Sequence, residues 1–77
     1  MDDHEFMLLA IAEAWKSAEP LKCGTVIARD GILVASAFNS QRQDADPTAH
    51  AEIKAMRKAG ASLGSKNLEN CTAYCTC

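Results

Sequence analysis

Apolar residues recur along this chain with two different periods, and the switches between them mark its elements. Met7, Leu8, Ile11, Ala14, Trp15 and Ala18 return at steps of three and four, which predicts an amphipathic helix over residues 3–17. That stripe, Trp15 included, is expected to face the core. Asp2 or Asp3 can cap its start, and Pro20 lies just past its end. The pattern then turns β-rich at Thr25–Ala28 and again at Ile32–Ala37. Between them sits Asp30-Gly31, the dipeptide favoured in two-residue hairpin turns. Asn39 ends the second strand, and a polar loop follows to Asp46.

Pro47 suits the first turn of a second helix, with Asp46 as its cap. Ile53 and Met56 carry the helix to about Ala59, and Gly60 is expected to stop it. Lys54, Arg57 and Lys58 share one side and read as a solvated face. After a connection from Leu63 to Asn70, period two returns in CTAYCTC. This third strand carries Cys71, Ala73, Cys75 and Cys77 on one face and Thr72, Tyr74 and Thr76 on the other. The predicted order is α-β-β-α-β, ending inside a strand. A stop at that point predicts the first part of something longer, whose last strand is an unpaired edge.

Composition narrows the function classes. A chain of 77 residues makes one small domain at most, and a domain this size buries only about 60–65% of its unfolded surface. The net charge of −2 gives no broad attraction to nucleic acid or an anionic membrane. No run reaches the ~18 apolar residues of a membrane span, and the acidic start MDDHE is unlike a secretory leader. The default compartment is therefore cytoplasmic. In that compartment Cys23, Cys71, Cys75 and Cys77 read as reduced core residues or metal ligands before disulfides.

The stretch DPTAHAEI carries the chemistry. It sets His50 two residues before Glu52 at a helix start. A neutral imidazole is a good zinc ligand, and zinc turns bound water into hydroxide near pH 7. A neighbouring carboxylate that does not bind the metal can take a proton from that water and pass it on. In mid-helix, positions two apart point roughly 200° away from each other. At the first turn that conflict relaxes, because a shared centre can lie off the helix end, where free N–H groups also favour an oxygen ligand.

DPTAHAEI resembles the zinc-binding signature of the cytidine deaminase-like superfamily, especially its guanine deaminase and tRNA adenosine deaminase branches. The first helix, GTVIARDGILVASAFN, the helix after His50 and LENCTAYCTC follow in the family's order and spacing. The resemblance covers the whole chain but only the N-terminal part of a family domain. It implies a three-layer α/β fold with a mixed sheet, a Zn2+ cofactor, and hydrolytic deamination of a nucleobase or nucleoside. A guanine-like base is favoured, tRNA stays open as a substrate, and complete members are expected to form homodimers. His50 would be a zinc ligand and Glu52 the proton shuttle. The Ala51 N–H and Asn39 would hold the base, and Gly24 would lie at the pocket floor.

One departure stands against this. The family's other two zinc ligands come from Pro-Cys-x-x-Cys, and no such motif is present in residues 1–77. The remaining ligands are expected beyond Cys77. Cys75 and Cys77 are poor substitutes, since strand positions i and i+2 lie about 6.6–6.8 Å apart. Cys23 has no evident partner. Two other readings stay open: a catalytically inactive deaminase fragment that acts only through association, and a small metal or redox module built on the terminal cysteines.

Overall fold

The computed structural model describes all residues 1–77. The helix α1 spans Asp3–Ala14 and opens on a reciprocal cap. The Asp2 carboxylate accepts from the Glu5 N–H, and Glu5 Oε1 accepts from the Asp2 N–H. The hairpin follows as β1, Gly24–Arg29, and β2, Ile32–Phe38. Asp30 and Gly31 both have positive φ, 53° and 75°, as a type I′ turn requires. Next come a short helix α2, Gln41–Asp44, in the expected polar loop, then α3, Ala51–Leu63, and β3, Cys71–Cys75.

The strand order is β2-β1-β3, with every pair antiparallel. The mixed pairing that the resemblance implies is not found among these three strands. Helices cover both faces, which makes three layers. Alternation along β1 divides its side chains between two cores. Val26 and Ala28 join Phe6 and Ala10 of α1, with Tyr74 packed beside them. Ile27 joins Ala35 and Ala37 of β2 and Ala55 and Ala59 of α3, with Cys71 packed against that side. The β1–β2 register slips by one between Ile27 and Ala28. This bulge leaves Val34 without an opposite number, and Val34 packs with its neighbour Ala35 on the α3 side.

The face that α1 buries is not the expected one. Phe6, Ala10, Glu13 and Ala14 are buried, whereas Leu8 and Ile11 are about half exposed and Trp15 is 74% exposed. The reason is Gly24. A Cβ placed there would lie 2.2 Å from the Ala10 carbonyl oxygen and 2.5 Å from the Ala14 nitrogen. The helix backbone rests directly on β1, which only small residues on both sides allow. Ala10 and Ala14 therefore set the helix rotation, and Leu8, Ile11 and Trp15 turn outward while Phe6 stays inside.

Two edges of the sheet are treated differently. On the β2 edge, Lys54 of α3 donates to the Phe38 carbonyl at 2.8 Å and to Ser40 Oγ at 2.6 Å, and its ammonium sits 4.6 Å from the Phe38 ring centroid. Lys58 donates to the Ser36 carbonyl at 3.1 Å. These lysines tie α3 to the β2 edge rather than forming a free cationic face. At the opposite edge β3 has no further strand partner. Its inner side is anchored by Tyr74, which stacks on Phe6 and donates its hydroxyl to Asp3. That bond to the Asp3 carboxylate raises the Tyr74 pKa above its ordinary value of 10.0.

The helix α3 runs one turn past Gly60 and ends at Gly64, whose φ of 63° is the left-handed conformation that favours glycine. Gly60 stays helical. Cys23 also departs from expectation, since it is disulfide-bonded to Cys77. Cys71 and Cys75 remain free.

The close approach of α1 to β1 makes a sharp prediction. Gly24→Ala should cost at least about 2 kcal/mol in urea denaturation, because backbone cannot yield as a side chain does. Trp15→Ser should change stability by no more than about 0.5 kcal/mol.

Candidate active site

The site lies where β2 ends and α3 begins, and Asn39 organises it. Asn39 is 5% exposed. Its Oδ1 accepts from the Cys23 N–H at 2.9 Å, and its Nδ2 donates to the Leu21 carbonyl at 2.7 Å. Its own N–H donates to the Cys23 carbonyl at 3.1 Å, and its carbonyl accepts from Ser17 Oγ at 2.8 Å. One residue thus links the segment after α1, the start of β1 and the end of β2. The primary amide has two N–H groups and two oxygen lone pairs, so one of each remains for a ligand.

Ser40 continues the link. Its N–H donates to the Ala49 carbonyl at 2.9 Å, which fixes the residue before His50. Asp46 does not cap α3, contrary to expectation. Its Oδ1 accepts from the Thr48 N–H and hydroxyl at 2.9 and 2.8 Å, an Asx turn that brings the chain round to the helix. The Thr48 hydroxyl, with the Thr48 N–H beside it, holds the Asp46 carboxyl below its ordinary pKa of 3.8. His50 itself occupies the N-cap position and makes no side-chain cap. No side chain therefore closes the first turn of α3, where the Ala51 and Glu52 N–H groups have no earlier helical carbonyl to reach. The imidazole Nδ1 lies 3.0 Å from Gln41 Nε2.

His50, Ala51, Glu52 and Asn39 line one open cleft of ≈ 680 Å³. The two residues of the His-x-Glu pair therefore border the same cleft. Gly24 is not among the residues lining it and is committed to the α1 contact. Glu19, Gln41 and three cysteines, Cys23, Cys75 and Cys77, also line the cleft. Sequence reasoning gave none of these a place there. Glu19 Oε1 accepts from the Arg42 N–H at the start of α2, while its Oε2 and Gln41 Oε1 are buried without partners. The cysteines were traceable in principle. Once β3 is known to pair with β1, Thr25 faces Cys75 and Cys23 falls opposite Cys77.

The metal does not follow from these residues alone. No group of three or more His, Cys, Asp or Glu side chains is placed to hold an ion. His50 brings the one imidazole to the cleft lining, and the Cys77 sulfur in the same cleft is bonded to Cys23. The donor set of this chain does not fit a closed zinc site.

The zinc-binding region of cytidine and deoxycytidylate deaminases matches residues 1–77. The chain belongs to this deaminase family. Among its relatives, guanine deaminase of Bacillus subtilis is 44% identical over 54 residues, covering 70% of this chain and 35% of the relative. A tRNA-specific adenosine deaminase of Aquifex aeolicus is 36% identical over 78 residues, covering 99% and 52%. The solved structure of Bacillus subtilis guanine deaminase superposes on all of this chain and 51% of its own, with a TM-score of 0.91 and 35% identity. A tRNA:A34 deaminase structure gives a TM-score of 0.86 at 37% identity over 95% of this chain and 58% of its own. The chain thus spans about a third to a half of the sequence relatives named here. These deaminase neighbours share its three-layer α/β architecture, and no helix of the chain is long and apolar enough to cross a membrane.

Removing the Asn39 side chain tests the organisation of the site. Asn39→Ala strands the Cys23 N–H and the Leu21 carbonyl, and should lower stability by about 2–4 kcal/mol in chemical denaturation. A change below about 0.5 kcal/mol would mean that the bonds do not form in solution.

Proposed function

We propose that this site belongs to a zinc-dependent hydrolytic deaminase of a nucleobase or nucleoside, with a guanine-like base favoured. One observation carries the reading: His50 and Glu52 share a cleft with Asn39 in a chain of the deaminase family. Glu52 is exposed at the first turn of α3, where its carboxylate can take a proton from the attacking water and return it to the base. The free N–H and lone pair of Asn39, with the Ala51 N–H, would orient the ring. His50 would contribute one metal ligand. The remaining ligands would have to come from outside these residues, and the metal, when bound, would supply an activated water.

A small base is favoured over tRNA by the fate of the basic residues. Lys54 and Lys58 are engaged with β2 carbonyls, and the net charge is −2. Those two ammonium groups are therefore less available to a phosphate backbone. The overlap with guanine deaminase points the same way, although a tRNA-specific adenosine deaminase aligns along nearly the whole chain. A second reading also has an observation behind it. Without three metal ligands, and with β3 an open edge, the 77 residues would be a catalytically inactive half that acts by association, with itself or with a complementary half-domain.

Ammonia release and zinc content separate the readings. The 77-residue chain alone should hold no stoichiometric zinc and release no ammonia from guanine. A longer protein that joins this segment to the remaining metal ligands should hold zinc and release ammonia. In that protein Glu52→Gln should lower kcat by roughly 10²–10⁴-fold with zinc content unchanged. Undiminished turnover in the variant would remove Glu52 from the proton path.

A further inference from the structure

The Cys23–Cys77 bond follows from strand register. In the β1–β3 ladder Arg29 faces Cys71 and Thr25 faces Cys75, so two further steps set Cys23 opposite Cys77. Backbone pairing continues past the end of β3. The Thr76 N–H donates to the Gly24 carbonyl at 3.1 Å, and the Gly24 N–H donates to Thr76 Oγ1 at 2.9 Å. The Cα atoms of the two cysteines are 5.5 Å apart, a spacing that a disulfide spans without backbone movement. The ladder therefore presents the pair to each other whether or not the bond is made.

Its location gives the bond a consequence. Both cysteines line the cleft that holds His50, Glu52 and Asn39. The Cys23 N–H is the group that Asn39 Oδ1 holds. Neither hydrophobic core includes Cys23 or Cys77. Cys77 is exposed and Cys23 is half-buried, so a small thiol can reach the pair.

We propose that Cys23 and Cys77 form a redox latch on the wall of the cleft, worked by a low-molecular-weight thiol–disulfide couple of the glutathione type. In closing, one cysteine thiolate attacks a sulfur of glutathione disulfide, forms a mixed disulfide and releases one glutathione thiolate. The second cysteine thiolate then attacks the protein sulfur of that mixed disulfide and releases the second glutathione. The two cysteines lose two electrons and two protons, and two glutathione thiols carry them away. Opening is the reverse. Closed, the latch ties the end of β3 to the segment that Asn39 holds. Open, it leaves two thiols on the wall of the cleft that His50 lines, while the Thr76–Gly24 hydrogen bonds keep them facing each other. The cores and the Gly24 contact are untouched in both states.

The purified chain tests this without any turnover, so the result stands apart from the deaminase reading. After equilibration with oxidised glutathione, alkylation under denaturing conditions should modify only Cys71 and Cys75, and the intact mass should be lower by two hydrogens. Titration with reduced glutathione should give one two-electron transition in a folded protein. Amide shifts should be confined to residues 21–25, Asn39 and residues 75–77, and Cys23→Ser should remain folded and abolish the transition. Alkylation of all four cysteines under oxidised glutathione would overturn the proposal. So would resistance to millimolar reduced glutathione without denaturant, shift changes throughout both cores, or persistence of the transition in Cys23→Ser.

Discussion

The site depends on the hydrogen bonds around Asn39. A strand end, a strand start and the turn after a helix meet at this buried amide, and each contributes a backbone group that would otherwise lie unpaired. Satisfying those groups fixes where β2 stops. Ser40 then hands the chain to Ala49, and Lys54 reaches back from α3 to the Phe38 carbonyl and to Ser40 Oγ. The first turn of α3 is thereby held over the end of the sheet, and His50 and Glu52 open into one cleft. The residue that the family resemblance assigns to the substrate is also the residue that assembles the site.

Local signals in the sequence were read correctly where the structure uses them locally. The cap at Asp2 and the Asp30-Gly31 turn both depend on neighbours within a few residues. Failures came where a distant contact decided the outcome. The stripe of Leu8, Ile11 and Trp15 has helical period, but Gly24 draws the small face of α1 inward instead. Gly60 has the residue type of a helix stop but stays helical, and Gly64 takes the positive φ instead. Asp46 has the composition of a cap and is taken by Thr48. The Cys23–Cys77 pair depends on which strand β3 joins, which no pattern within β3 specifies.

The same long-range terms explain the two-sided character of the surface. At the β2 edge, lysines from α3 occupy the outward carbonyls of Ser36 and Phe38, which blunts that edge. At the other, β3 has pairing only on its inner side, and the displaced stripe of α1 adds Ile11 and Trp15 near Thr76. The order in the cleft is thus secured by contacts within these 77 residues, while its metal chemistry is not. Positioning and catalysis are separable here, and family membership speaks to both without making the second a property of this chain alone.

The central claim is that the Asn39 contacts and the start of α3 place His50 and its neighbours around a single cleft. Nuclear Overhauser contacts in the isotope-labelled 77-residue chain test it most directly. The account predicts cross-peaks from the Asn39 side-chain amide to both Leu21 and Cys23, together with cross-peaks from the Gln41 side-chain amide to the His50 ring. A His50 ring with contacts only to its sequence neighbours, and an Asn39 amide exchanging freely with water, would contradict it.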